Sequence, residues 1–472
     1  MSLSDLAQAW DVIVVGAGPA GMAAATITAN AGLATLVLDE NSDVGGQVWR
    51  AITRTPVRLR PVLGPDYWSG QTIAHAFAAS GAKHLAGATV WSLDRHLEVG
   101  ISKGGVARML NARRVIIATG AMERPFPVPG WTLPGVMTIG GAQTALKASG
   151  LVPTGRVVLA GCGPLLWLYA DQVLRAGGKI QAILDTSDAG QRRQALRHAA
   201  TFARSPYLLK GLKLMASVRR KVRLIGGVTQ LAIEGTDRCE SITYRCGAGP
   251  SERMPADLIL LHQGVVPNPN LAMAAGVAHH WSEAQMCFVP KLDGWGTTSI
   301  DGIAIAGDGA GIAGVEAAVE RGRLAGLAAG MALGTARDKL PDAAPIRHRL
   351  ARYEAPRAFL DVLYRPANAF RMPRGDTIVC RCEEVTAAQV IETVAIGPEG
   401  PNQVKSFLRC GMGPCQGRLC GLTVTELIAE ARGVAPEAAG YYRLRPPVKP
   451  ITLAEIASLE TKPHEVKAVV RS

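Results

Sequence analysis

Before residue 380 the sequence has no Cys-x-x-Cys or Cys-x4-Cys pair. Dithiol–disulfide chemistry is therefore not read from that part, and Cys162, Cys239, Cys246 and Cys287 stand singly as packing or surface thiols. The N-terminus lacks a charged stretch followed by an apolar core and a cleavage site, so no secretory signal is expected. No apolar run is long enough to span a membrane. No Lys/Arg block and no interleaving of aromatic and basic residues marks a nucleic-acid surface. No residue stands out as a nucleophile or general base, and the catalytic residues stay unknown.

The chain has 472 residues, 48% of them hydrophobic, with 53 glycines. At roughly 150 residues per domain this length suggests two to four domains. Short Val/Ile/Leu runs alternate with Ala/Gly-rich stretches, the pattern of an α/β protein. The formal net charge is +13, from 51 basic and 38 acidic residues. That is a soluble basic surface, or one that attracts anionic cofactors, acidic partners or a membrane face. Nine cysteines without export point to reduced thiols in the cytoplasm. Five of them fall between 380 and 420, which is a local site and not a scattered disulfide framework.

DVIVVGAGPAGMAAATITANAG (11–32) reads as a buried strand, a tight turn and a helix. In its G-x-G-x-x-G, Gly16 permits the turn, Gly18 lets a diphosphate approach the backbone, and Gly21 lets helix and strand pack closely. Pro19 and Ala20 complete the loop and open the helix, whose free N–H groups favour phosphate. ATLVLDE ends a second strand in acids. Asp39 lies 18 residues after Gly21, where a ribose-binding carboxylate belongs, and Glu40 is the adjacent candidate. An acid at this point disfavours a 2′-phosphate.

Three later stretches bear on the cofactor: NSDVGGQVWR with Gly45, Gly46 and Gln47, RVIIATG with Thr119 and Gly120, and SIDGIAIAGDGAG with Gly307 and Asp308. The set resembles the flavoproteins with two dinucleotide-binding domains, such as thioredoxin reductase. The resemblance implies FAD, with Asp308 on the ribityl chain. Without it, Asp308 reads as the N-cap of a helix that runs on through GVEAAVERGRLAG.

GRVVLAGCGPLL (155–166) repeats the fingerprint, but Leu166 stands at the third glycine position after Gly161 and Gly163. A leucine there separates helix from strand and weakens the phosphate cradle. Asp185 keeps the acid, 19 residues on. The reading is a retained fold without NAD(P), against a working NAD(P)H site. His262 is a lone histidine after an apolar run, read as packed and hydrogen-bonded.

After residue 335 a Pro- and charge-rich linker leads to an amphipathic aromatic stretch, RYEAPRAFLDVLYRPANAFRMPRG, expected to dock on another domain or a partner. In TIVCRCEEVTAAQ, Thr386 and Gln389 form a capping-box start, with Cys380 and Cys382 just before it. Downstream, RCGMGPCQGRLC offers three more thiols with four residues in each gap. A helix start after Cys420 favours thiolates at Cys415 and Cys420, and sets Cys410 aside as a buried neighbour. Cys380, Cys382, Cys415 and Cys420 are thus the expected metal ligands. Their spacing suits zinc or a [2Fe-2S] cluster, and a neighbouring flavin domain favours the redox cofactor.

GAGPAG, LDENSDVGGQVWR, GPDYW, ATGAMERPFPVPGW, GCGPLL, HQGVVPN, AGDGAG, CRCEEVT, GMGPCQGRLC and RLRPPVKP together resemble one family over nearly the whole chain. It is that of the α (A) subunits of heteromeric flavin-dependent amino-acid and opine dehydrogenases, which includes opine oxidase A subunits, hydrogen cyanide synthase B subunits and proline or hydroxyproline dehydrogenase α subunits. The cysteine stretch is similar to bacterioferritin-associated ferredoxin. The resemblance implies an FAD domain at 1–150 and 285–335, a degenerate NAD-binding-like domain at 151–284, a docking linker at 336–375, a [2Fe-2S] domain at 376–435 and a tail at 436–472. It implies an electron-relay role beside an FAD-containing β subunit like D-amino-acid or sarcosine oxidase. An FMN at the subunit interface, peripheral association with the respiratory membrane and a small third subunit belong to the same implication. The other readings are a self-contained NAD(P)H-dependent reductase and a binding module with structural zinc.

Overall fold

The computed structural model describes residues 3–460; the last part of the expected tail, 461–472, lies outside them. Two parallel-sheet layers form the body. In the first, Lys83–Ala86, Thr35–Asp39, Ala9–Val15 and Val106–Ile117 lie side by side in parallel. Glu98–Lys103 and Thr89–Leu93 continue the sheet antiparallel. Ile303–Ile305 returns late in the chain to pair with Val106–Ile117. Val12 to Val15 and Leu36 to Leu38 are buried, as a strand covered on both faces requires.

The second sheet runs Arg223–Gly226, Ala182–Asp185, Val157–Cys162, Leu258–Gln263, Val136–Thr138, all parallel. A three-stranded meander, Val228–Glu234, Ser241–Cys246 and Ser251–Pro255, packs beside it.

Two helices cross the first sheet, Pro19–Asn30 and Val315–Ala332. Their contact is backbone against backbone. A Cβ on Gly322 would overlap the Ala20 carbonyl, and one on Gly326 would lie 2.7 Å from the Ala24 carbonyl oxygen. The long helix does not run on from Asp308. A short turn, Gly307–Ala310, intervenes, and Gly314 is the N-cap. Asp308 instead accepts the N–H groups of Ala313 and Gly314 at 3.0 and 3.1 Å, because the chain must bend before the helix axis can lie along the sheet.

The cysteine-rich module is a two-strand ladder, Ile378–Cys380 with Val385–Thr386, and three helices: Ala387–Ala395, Pro401–Leu408 and Gly421–Arg432. The Thr386–Gln389 capping box forms. Val390, Val404, Val424, Leu427 and Ile428 fill its core. The aromatic stretch before it docks on the second sheet's domain: Phe359 stacks on Phe202 and Phe370 meets Phe126 edge-on. After the module the tail returns to the first sheet. Val448 N–H donates to Trp91, Lys449 pairs with Glu40, and Ser458 accepts from Ala107.

One lysine is buried without a carboxylate beside it. Lys147, on Ile139–Ser149, donates to the Gln47 carbonyl at 3.1 Å and to Gln143 Oε1 at 2.8 Å. Burial pushes it down to about 7. An unfolded lysine holds its proton to about pH 10.4.

Gly322→Ala should force the two helices apart, at a cost of about 1–3 kcal/mol. A lower Tm and a lower flavin-to-protein ratio are the expected readouts, because the displaced partner, Ala20, belongs to the glycine loop. The depressed Lys147 pKa means that the unfolded chain binds the extra proton between about pH 7 and 10.4, so this residue makes stability rise across that window. Lys147→Met should flatten the rise, and its stability relative to wild type should be about 2 kcal/mol or more higher at pH 7 than at pH 9.5 by urea unfolding.

Candidate functional site

The first nucleotide cradle forms where the first strand turns into its helix. Gly16 has φ +105, and a Cβ there would lie 2.5 Å from the Ala118 carbonyl oxygen. A Cβ on Gly21 would overlap the Gly16 carbonyl, so the helix approaches its strand only as glycine allows. Gly45 N–H donates to the Ala17 carbonyl at 2.9 Å, which brings the Gly45–Gly46–Gln47 loop over Gly18. A Cβ on Gly46 would sit 3.0 Å from the Gly18 Cα and narrow the cradle. Pro19 starts the helix, and Ala20 follows in its first turn.

The two acids divide their tasks. Asp39 is buried; its carboxylate accepts Ala17 N–H at 2.6 Å, Asn41 N–H at 2.7 Å and the Asn41 amide at 2.8 Å. It holds the loop. Glu40 faces outward and meets Lys449 at 2.7 Å. Nothing in the sequence distinguished these neighbours, because the choice depends on which face of the strand end turns inward.

Thr119 and Gly120 border the same space. The Thr119 hydroxyl is buried and has no partner among the described residues, a donor left for a ligand. Gly120 takes φ +64 and its carbonyl accepts Asn268 N–H at 3.1 Å. Gly307 packs against Ala20, and Arg321 donates to the Gly307 carbonyl at 3.1 Å. A glycine-lined cradle at a helix start, an orphan hydroxyl and an acid at the strand end suit a flavin dinucleotide. Lys147 secures the Gln47 backbone from behind, and Thr144 donates to the Gln47 side chain at 3.3 Å. Sequence reading missed Lys147 because its role rests on burial by a helix far from the loop.

The thiols converge, though not in the expected grouping. The sulfurs of Cys380, Cys410 and Cys420 all lie within 4.8 Å of one another, and all three residues are buried. Cys382 and Cys415 form a second pair towards solvent, with Cys382 exposed and hydrogen-bonded to Cys415. Cys410, a buried neighbour in the sequence reading, lies among these sulfurs. Pro401–Leu408 ends in a left-handed residue, Arg409 (φ 57), and Gly411 (φ 92) follows; together they fold Cys410 back into the pocket. Cys420 is itself the N-cap of Gly421–Arg432, the position that favoured it. Hydrogen bonds from Cys410 and Cys420 pull the Cys380 thiol down to about 2. The two donors are raised in turn, first by their bonds to Cys380. A metal or cluster would replace those protons.

Close packing shapes the pocket. A Cβ on Gly413 would overlap that of Cys382. Tyr442 covers Gly411 and Gly417, Tyr441 covers Gly421, and the Tyr442 hydroxyl lies 3.8 Å from the Cys420 sulfur. These tyrosines were not legible as site residues; they belong to the tail and reach the thiols only through the fold. Asn270, from the flavoprotein body, donates to the Gln416 carbonyl at 2.9 Å. Three converging sulfurs with a second, linked thiol pair suit an iron–sulfur cluster, which needs four ligands.

His262 is buried, with Nδ1 2.7 Å from Glu123 Oε1. Glu123 Oε2 accepts Gly140 N–H at 3.0 Å. This is the packed, hydrogen-bonded histidine read from the sequence.

Comparison with known proteins agrees with the two sites. Residues 10–322 match the family described as pyridine nucleotide-disulphide oxidoreductase, and residues 378–430 match the BFD-like [2Fe-2S] binding domain. The opine oxidase A chain of Agrobacterium tumefaciens (strain Ach5) is 49% identical over 99% of this chain and 95% of its own. The hydrogen cyanide synthase component HcnB of Pseudomonas protegens is 29% identical, over 93% and 96%. The crystal structure of L-proline dehydrogenase from P. horikoshii superposes with a TM-score of 0.70 over 95% of this chain and 79% of its own, at 18% identity, which is a likeness of fold. The protein is an oxidoreductase subunit whose cofactors are FAD and a [2Fe-2S] cluster, and the chain belongs to the family of opine oxidase A subunits.

Proposed function

We propose that this chain is the electron-relay subunit of a heteromeric enzyme that oxidises the C–N bond of an opine or a related amino acid. The bond is broken on a partner β subunit that carries its own flavin. One observation carries the reading: a flavin cradle and a cluster of thiols lie in one chain, and the body that carries the cradle touches the cysteine loop directly, Asn270 to Gln416. Bound there, FAD and the [2Fe-2S] cluster would supply electron storage and one-electron transfer. The naming of relatives as opine oxidase A subunits supports the substrate class.

The chain's own residues act as supports. The Gly16–Gly21 loop and the helix it opens bind diphosphate, Asp39 fixes the loop, Glu40 reaches for the adenosine ribose, and Thr119 donates to the cofactor. Asp308 reaches the ribityl chain through its remaining lone pairs. Cys380, Cys382 and Cys415 hold three cluster positions. The fourth comes from Cys410 or Cys420; a helix N-terminus supports Cys420, and a shared loop with Cys415 supports Cys410. The division of the chain into five parts and an FMN at the interface with the β subunit belong to the same proposal. So does a place in the cytoplasm; among the described residues no helix is long and apolar enough to cross a membrane.

Co-purification from the native host should bring down a flavin-containing partner, with two irons per copy of this chain. Zinc in place of iron, without charge-transfer absorption, would refute the relay. NADH bleaching the flavin of the isolated chain at a catalytic rate would hand the chain to the self-contained reductase. Cys382→Ser and Cys415→Ser should each lose the cluster's visible absorption and iron while FAD stays bound. Of Cys410→Ser and Cys420→Ser, only one should lose iron, and that one names the fourth ligand.

A further inference from the structure

The second glycine fingerprint is covered by a later part of the same chain. In an open fold of this kind the pyrophosphate lies on the glycine loop and the helix start, and the ribose reaches the acid at the end of the next strand. Here a histidine lies at one end of that track and an arginine at the other. A Cβ on Gly161 would overlap the His262 carbonyl just as one on Gly16 would meet that of Ala118, but the second glycines differ: one on Gly163 would lie 3.0 Å from His262 Nε2, whereas one on Gly18 would meet only the Gly46 Cα, at 3.8 Å. The missing side chain at Gly163 lets the His262 imidazole pack against the loop, while no side chain meets Gly18. Asp185 is buried, and its carboxylate is already bonded to Arg192 at 2.8 Å and to Ser187 N–H at 2.9 Å.

Between the loop and the acid lies Tyr364. Its carbonyl accepts the thiol of Cys162, the middle residue of the Gly-Cys-Gly loop, at 3.7 Å. Its phenol is pushed up to about 12, chiefly by burial, with Asp185 and Cys162 close enough to add to the shift. The segment that carries it is fixed on both sides. Upstream, Phe359 stacks on Phe202 with centroids 4.2 Å apart and planes 14° from parallel. Downstream, the Phe370 carbonyl accepts Gln263 Nε2 at 3.1 Å, Phe370 packs on Phe126, and Arg371 forms a buried ion pair with Glu426.

We propose that residues 357–371 are an intramolecular plug, with Tyr364 as its specificity-determining residue, which excludes pyridine nucleotides from the second dinucleotide fold. Leu166 is then secondary: it is fully packed in the core, and the helix Pro164–Arg175 still starts directly after the loop. The plug demands an electron source other than NAD(P)H, and so rests on the relay reading.

The test uses the full-length chain with FAD and cluster bound, and NADH as the probe. Calorimetric or fluorescence titration of wild type and of Tyr364→Phe should show no saturable binding up to about 1 mM, since the ring and not its hydroxyl fills the track. Tyr364→Ala, alone or with Phe359→Ala, should bind NADH at least about tenfold more tightly than wild type. Hydrogen exchange covers the case in which these variants do not fold: NADH should leave the amides of 161–166 and 357–371 in wild type unchanged. Saturable NADH binding by wild type, protection of 161–166 by NADH, or no gain in a folded Tyr364→Ala variant would each overturn the plug. Binding without flavin bleaching sinks the plug alone; bleaching in wild type sinks the relay reading as well.

Discussion

A buried carboxylate between two guanidinium groups sets the position of the cysteine module. Glu426, on the module's last helix, pairs with Arg371 of the docking segment and lies 4.0 Å from Arg124 of the flavoprotein body. The three side chains are at most 6% exposed. Burial raises the Glu426 carboxyl, and Arg371 and then Arg124 pull it back down. Arg124 also donates to the carbonyls of Gln285 and Met286 at 2.6 and 3.0 Å, so the network reaches the strand pair beyond. Removing one partner of such a pair costs about 3–5 kcal/mol, because the charge left behind is desolvated. Glu426 thus ties the module's last helix both to the docking segment and to the flavoprotein body.

The two glycine loops show how the same motif reaches opposite ends. In the first, Gly45 and Gly46 cross over Gly18, and no side chain meets it. In the second, the His262 imidazole lies against Gly163 and the Tyr364 carbonyl holds the Cys162 thiol. The folds remain alike because the buried strands and the close helix start are the same in both. A ligand site needs more than its fold; it needs the rest of the chain to stay away.

Local features were legible in the sequence. The fingerprint strands, the Thr386 capping box and the helix after Cys420 follow from a few adjacent residues, and each formed. Features set by long-range packing were not. The sequence shows Cys410 only as a buried neighbour of the site; Arg409 and Gly411 reverse the chain within three residues and bring its sulfur among the others. Asp39 and Glu40 could not be ranked, since one faces the loop and the other the tail. The Arg124–Glu426–Arg371 network joins residues from three segments, and no pattern along the chain encodes it. The docking segment's aromatic character was visible, but its target was not.

The tail has a mechanical consequence. It leaves the thiol pocket past Tyr441 and Tyr442, binds Trp91 through Val448 and Glu40 through Lys449, and meets Ala107 through Ser458. The cysteine module is therefore tethered at its entrance and at its exit, like a bead on a closed loop. A bead held in this way cannot swing out as a mobile carrier between distant sites. Any redox partner has to come to it, and the rate of transfer is set by a fixed gap across the surface and not by the search of a tethered arm.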